Sequence, residues 1–271
     1  MLPKATEFVQ KRYRIVVIVG LVAITALAWM YVLQLASSMS GLETNGGLGM
    51  EAGQMEMSMP QTAIWRSGDI LLTFLMWAVM MVAMMTPSAI PMILTYASLN
   101  RRRYANETPF FAVAVFLLGY LIVWLSFSGV ATFVQWGFHS ATLLSPETIG
   151  VTPLLGGVLL ILAGVYQFTP LKQVCLSNCR TPLGFLVTEW REGLGGALIM
   201  GLRHGIYCVG CCWLLMTLLF VAGVMNLLWV ALIAGYVLVE KVAPAGQWVS
   251  RAIGLLTIGW GAWLLIRMLG T

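Results

Sequence analysis

Positions 204–212 hold one of the chain's two histidines and three of its five cysteines, within the run GLRHGIYCVGCCWLLM (residues 201–216). The other two cysteines, Cys175 and Cys179, form a CxxxC in TPLKQVCLSNCRTP. Thiolate and imidazole together select soft or borderline metals, Cu(I), zinc or an iron–sulfur centre, over oxygen-seeking cations. On a helix, His204, Cys208 and either Cys211 or Cys212 share one face, being three or four apart. Cys211 and Cys212 diverge by about 100° at 3.6 residues per turn. The expectation is therefore one tetrahedral centre, with two thiols from this helix and two from the CxxxC, and with His204 as ligand or supporting partner. Lys172, Arg180 and Arg203 lie close in sequence and would offset the negative charge of four thiolates.

A second soft-ligand pattern is carried by methionine. In LLTFLMWAVMMVAMMTPSAIPM, Met76, Met80 and Met84 recur every four residues, with Met81 and Met85 on the adjoining flank. Methionine is adaptable core filler and cysteine a small packing residue, so either pattern alone is ordinary. Met50, Met55, Met57 and Met59, however, fall in a Gly- and Ser-rich stretch with no periodic apolar pattern and hence no core to fill. Thioethers there suit Cu(I). Loop and stripe together describe a track of soft ligands leading towards the thiols.

The elements that must carry these residues are membrane helices. The chain has 271 residues, 60% hydrophobic and 9% charged, with a mean hydropathy of +0.90, whereas soluble domains average about 25% charged residues. The composition predicts an all-α, polytopic transmembrane bundle forming a single domain over residues 1–271. Apolar runs near 15–36, 67–98, 110–137, 151–170, 204–224, 226–240 and 249–269 predict about seven spans of the required ~20 residues. The first run is too long for a signal-peptide core and lacks a small-residue cleavage site, so it reads as a retained span. With the N-terminus inside, every Lys and Arg except Arg66 and Arg267 falls on the cytoplasmic side, as the positive-inside rule requires. Residues 37–66 then form an outer Met-rich loop, and 171–203 an inner segment bearing Cys175 and Cys179.

Within that inner segment a helix rising from Gly193 would carry Arg203 about 15 Å into the bilayer, at ~2.5–3.5 kcal/mol on the lenient insertion scale. An amphipathic stretch over 183–202 lying along the inner surface avoids this cost and is the predicted arrangement. Pro87 and Pro91 should kink the second span and free carbonyls for neighbouring helices to satisfy. Glu240 and Lys241 are expected to pair, and Gln167 and Asn226 to join helices.

The runs MWAVMMVAMMTPSAIP, GVYQFTPLKQVCLSNCRTP and HGIYCVGCCWLLMTLLFVAGVMN resemble a bacterial family of predicted metal-binding integral membrane proteins, domain of unknown function 2182, over about residues 65–260. The resemblance implies a metal site at Cys175, Cys179, Cys208, Cys211 and Cys212. It supplies no mechanism. A functional parallel, without homology, exists in eukaryotic copper transporters, which pair Met-rich outer segments with an intramembrane MxxxM.

The basic balance of +5 is a topology signal, not a nucleic-acid surface. The chain lacks GxxxxGK[ST], which excludes a pump driven by its own nucleotide site, and no catalytic residue is assigned. The reading is a multi-pass protein of the bacterial cytoplasmic (inner) membrane that handles copper as Cu(I), with zinc the alternative metal. It would act as a carrier or as a chaperone delivering copper to a membrane cuproenzyme. Two other classes are set against it: an accessory subunit of a larger membrane complex, and a membrane thiol oxidoreductase cycling the helix cysteines against the CxxxC, where Arg180 and Arg203 would favour thiolates.

Overall fold

The computed structural model describes residues 2–44, 67–103, 109–141, 151–224 and 226–269. These fold into nine helices: α1 (Leu2–Thr44), α2 (Ser67–Arg103), α3 (Pro109–Ser140), α4 (Pro153–Tyr166), α5 (Pro170–Arg180), α6 (Pro182–Glu189), α7 (Gly193–Ala222), α8 (Leu227–Val242) and α9 (Gly246–Leu269). Five are long and apolar enough to cross a membrane, or six if α4 and α5 count as one bent span. The expected all-α bundle is what forms, but with fewer full spans than the seven apolar runs. At 16 residues, α8 falls short of the ~20 needed. α4 stops after 14 residues, and α5 leaves it at 64°. Proline starts both pieces. At α5 the Thr169 side chain caps by accepting from the Lys172 amide, which fixes the new helix direction.

α7 is the central element. It packs against α3, α4, α5 and α8, and α3 approaches it at closest range where a methyl on Gly201 would overlap the Phe116 carbonyl. Small residues at a crossing let backbones meet in this way. Being covered on several sides, α7 buries residues around its circumference, among them Met200, His204, Cys208, Cys211, Cys212, Leu215 and Met216.

The inner-surface segment differs from expectation. Only Pro182–Glu189 forms a separate short helix, and α7 rises from Gly193 without interruption through Arg203. The Arg203 guanidinium pairs with the carboxylate of Glu189, the last residue of α6, so the charge that argued against a continuous helix is balanced. A 30-residue helix is also about 45 Å long, well beyond the ~30 Å hydrocarbon core. Its first turns can therefore stand outside the hydrocarbon.

In α2, Pro87 lacks the N–H that would reach back to Ala83, and the Trp29 indole from α1 donates to that carbonyl instead at 3.1 Å. A neighbouring helix thus satisfies the freed group, as expected of a proline in a membrane helix. Gln167 joins helices as expected: its Oε1 accepts from Ser250 Oγ of α9 at 3.0 Å, from Tyr236 of α8 at 3.4 Å and from Lys172. Asn226 does not. It caps α8, accepting from the Trp229 amide. Glu240 does not pair with Lys241; its Oε1 lies 2.6 Å from Lys172 Nζ, because consecutive residues on a helix point about 100° apart.

Candidate metal centre

All five cysteines are free and buried. The two clusters that lie 29 to 37 positions apart in the chain meet where α5 crosses α7. Cys179, one turn of α5 beyond Cys175, is buried in the same core cluster as Cys208 and Cys211. Cys175 lies over Gly210, where an added Cβ would come within 2.7 Å of its Sγ. Glycine at 210 therefore lets α5 settle onto the thiol-bearing turn of α7. The Tyr166 hydroxyl from α4 donates to the Gly210 carbonyl and clamps the same turn.

The angular argument for the CVGCC holds in geometry but not in consequence. Cys211 and Cys212 sit on different faces of α7, yet both are 0% exposed, because partner helices cover both directions. Their thiols donate to the same acceptor, the Cys208 carbonyl, at 3.1 and 3.0 Å. Cys212 is buried in the same core cluster as Cys208 and Cys211. All three thiols of this helix therefore belong to one buried cluster, where two were expected to.

His204 lies one turn before Cys208 and is 2% exposed. Its ring is stacked against Tyr120 at 5.5 Å and faces Phe116 and Phe185 at 6.2 and 5.8 Å between centroids. Neither ring nitrogen has a hydrogen-bond partner, although buried polar atoms ordinarily find one. The imidazole is a donor held in an aromatic cage at the edge of the thiol cluster.

Two residues that the sequence reading left outside the site reach into it. The Tyr120 hydroxyl of α3 donates to the Met85 carbonyl at 3.0 Å and lies 3.2 Å from Cys208 Sγ. The Lys241 ammonium of α8 donates to Cys208 Sγ at 2.9 Å and to Ser88 Oγ at 3.1 Å. A tyrosine and a lysine inside apolar runs were the available signal, since intramembrane ionisable residues are costly and mark function. Lys172, expected near the thiols as charge compensation, is committed to Glu240, and Arg203 to Glu189. Arg180 donates to the Ala243 and Pro244 carbonyls at 2.7 and 3.1 Å and pins the end of α8.

Of the methionine stripe, Met80 and Met84 are buried at 2% and 1% exposure. Met76 is partly buried against the same core. Met76 and Met80 line a narrow crevice with Tyr31, Val32, Leu35, Val224, Leu227 and Val230. Met50, Met55, Met57 and Met59 lie outside the described residues.

The donor set is soft throughout: five thiols free of disulfides, an orphaned imidazole and thioethers. Among the described residues no three His, Cys, Asp or Glu side chains already stand in a closed metal-binding arrangement. Cys211 and Cys212 are instead hydrogen-bonded to the Cys208 carbonyl and Cys208 to Lys241, so a metal would replace thiol protons and draw the sulfurs together.

Fold and cluster define a class: a multi-pass helical membrane protein with a buried thiol cluster where a short broken helix meets a central span. A family model described as PpoB2, copper chaperone, matches residues 74–264, and the chain belongs to that copper-handling family. The match takes in every cysteine, His204 and the Met76, Met80 and Met84 stripe, and stops short of Met50–Met59. No curated protein and no solved structure matches the chain.

Proposed function

We propose that this protein is a membrane-embedded Cu(I) chaperone that holds the ion at Cys179, Cys208 and Cys211, with Cys175, Cys212 and His204 around them, for delivery to a membrane cuproenzyme. The observation that carries the reading is that α5 seats Cys175 against Gly210, between Cys208 and Cys211 of α7, and buries Cys179 one turn further along in the same core cluster. Thiols from two helices that fold together only through tertiary packing form a buried, reduced and soft donor set in a chain of a copper-chaperone family. Cu(I) is satisfied by few sulfur ligands, so it can pass between donor sets by exchanging one thiol at a time.

Entry would follow the methionines. Met50, Met55, Met57 and Met59 fall between α1 and α2 in the chain, and α2 carries Met76 and Met80, which line the crevice. Met84 lies one turn further in, and Tyr120 connects the next residue's carbonyl to Cys208. Thioethers bind Cu(I) without deprotonation, so this route needs no ionised group in the apolar core.

The distribution of basic residues supports a cytoplasmic N-terminus in the bacterial inner membrane, which would put the methionine segment outside. In a cysteine-free background, a single cysteine at position 102 should react only after the cells are permeabilised.

The central test is anaerobic titration of purified protein with Cu(I) against a competing chelator. Wild type should bind Cu(I), and Cys179→Ser and Cys208→Ser should each weaken it, with the double variant weakened by less than the product of the two, because the residues share a centre. Full Cu(I) affinity in the double variant would sink the reading. Thiol cycling without metal uptake would favour the oxidoreductase alternative.

A further inference from the structure

Lys241 is a buried cation whose neighbours are sulfur. The residue is 6% exposed, and its Nζ donates to Cys208 Sγ at 2.9 Å and Ser88 Oγ at 3.1 Å. The adjacent carboxylate faces away, since Glu240 Oε1 lies 2.6 Å from Lys172 Nζ. Among the described residues Lys241 forms no ion pair with a carboxylate. Cys208 is joined by Cys211 and Cys212, whose thiols donate to its carbonyl at 3.1 and 3.0 Å. A charge taken out of water is costly unless paired, and here the groups able to supply an anion are the thiols.

From this geometry we infer that Lys241 selects a monovalent metal at the thiol cluster, by supplying one fixed positive charge that a bound ion must share with two thiolates. This rests on the reading that the thiols hold copper, and deepens it by naming what sets the choice of metal. In an apolar interior the favoured assembly is the neutral one. Two thiolates are neutralised by Cu(I) and the Lys241 ammonium together. With Zn²⁺ the same two thiolates and the lysine leave an uncompensated charge. A third thiolate would restore neutrality for Zn²⁺, which takes four donors, so the selection by Lys241 belongs to a site in which two sulfurs bind as thiolates and the third keeps its proton. Loss of the ammonium reverses the balance: two thiolates and a divalent ion become neutral, and two thiolates with Cu(I) carry a surplus negative charge. Lys241 is thus a positioning and charge-setting residue, not a ligand.

The experiment compares wild type, Lys241→Arg, Lys241→Gln and Lys241→Met, each purified anaerobically in detergent. Each is titrated with Cu(I) and, separately, with Zn²⁺ against competing chelators. Gln can donate to the same two acceptors without charge, and Met keeps the stem; should one not yield monodisperse protein, the other reads the same loss of charge. The expected result is that Gln and Met weaken Cu(I) roughly 10–100-fold, the range in which groups supporting metal ligands act, while Zn²⁺ binding is unchanged or tighter. Arg, which keeps the charge, retains the wild-type preference. Unchanged Cu(I) affinity in Gln or Met overturns the inference, as does an equal loss for both metals, which marks a structural role alone. Loss of the preference in folded Arg overturns it too. Absence of Cu(I) binding in wild type, or its persistence in the Cys179→Ser, Cys208→Ser double variant, instead brings down the thiol-site reading and this inference with it.

Discussion

The hydroxyl of Tyr120 stands 3.2 Å from the sulfur of Cys208, although the two residues are 88 positions apart. The same hydroxyl donates to the Met85 carbonyl at 3.0 Å, so one side chain ties the methionine-bearing α2 to the thiol-bearing α7 across α3. Tyr120→Phe removes both links while keeping the ring that stacks on His204. Leaving a buried acceptor short of a donor costs about 1–3 kcal/mol, so thermal unfolding should shift down. Cu(I) affinity should fall by roughly tenfold, as for other groups that orient a metal ligand. Parallel melting curves and chelator competition on the purified variant check both.

Gly210→Ala should disturb the site without removing any ligand. Its methyl would fall 2.7 Å from Cys175 Sγ and 3.5 Å from Cys175 Cβ, so α5 or the Cys175 side chain must move. Gly235→Ala is the control, since nothing lies within 4 Å of its added carbon, and alanine favours a helix by about 0.8–1 kcal/mol over glycine. Cu(I) affinity should drop for the 210 variant and stay unchanged for the 235 variant. Equal affinity in both would show that α5 has slack to absorb the methyl.

The Lys172–Glu240 pair, 1% and 0% exposed at 2.6 Å, should behave as a buried ion pair. Glu240→Gln leaves the Lys172 charge uncompensated and should cost roughly 3–5 kcal/mol. The double replacement Lys172→Met, Glu240→Leu removes both charges and should recover most of that loss. Denaturant titration of the three proteins in the same detergent measures the difference. A single variant as stable as wild type would mean that Gln167 and Tyr236 already suffice to hold Lys172.

Replacing Met50, Met55, Met57 and Met59 with Leu should weaken copper capture while leaving the melting temperature in place, since the Gly- and Ser-rich stretch that holds them has no periodic apolar pattern. The pH dependence separates the two kinds of donor. Protons compete with a metal for thiolate and imidazole but not for thioether, so the loop's contribution should persist at mildly acidic pH while that of the cysteine cluster declines. Copper uptake by cells expressing wild type and the quadruple variant, measured at neutral and mildly acidic pH, tests this. Equal uptake at both would reduce the segment to a linker.

Much of this protein is legible in its sequence because lipid imposes a simple rule. Backbone polar groups must be satisfied within each span, so long apolar runs declare helices, and α1, α2, α3, α7 and α9 follow from composition and length. The soft donors are legible too, since Cys175, Cys179, Cys208, Cys211, Cys212 and His204 are rare residues at regular spacing. Packing decided the rest. Whether α7 could begin at Gly193 depended on Glu189 reaching Arg203, a pairing created by the fold of α6 rather than by any local pattern. Periodicity gave Cys211 and Cys212 different faces, and the burial of both followed from the helices that cover α7 on several sides. Lys241 and Tyr120 carried no motif at all. An ammonium at 2.9 Å and a phenol at 3.2 Å from one sulfur are the product of three helices, α3, α7 and α8, meeting. Spacing along one helix cannot encode which distant side chain will fill the space beside it.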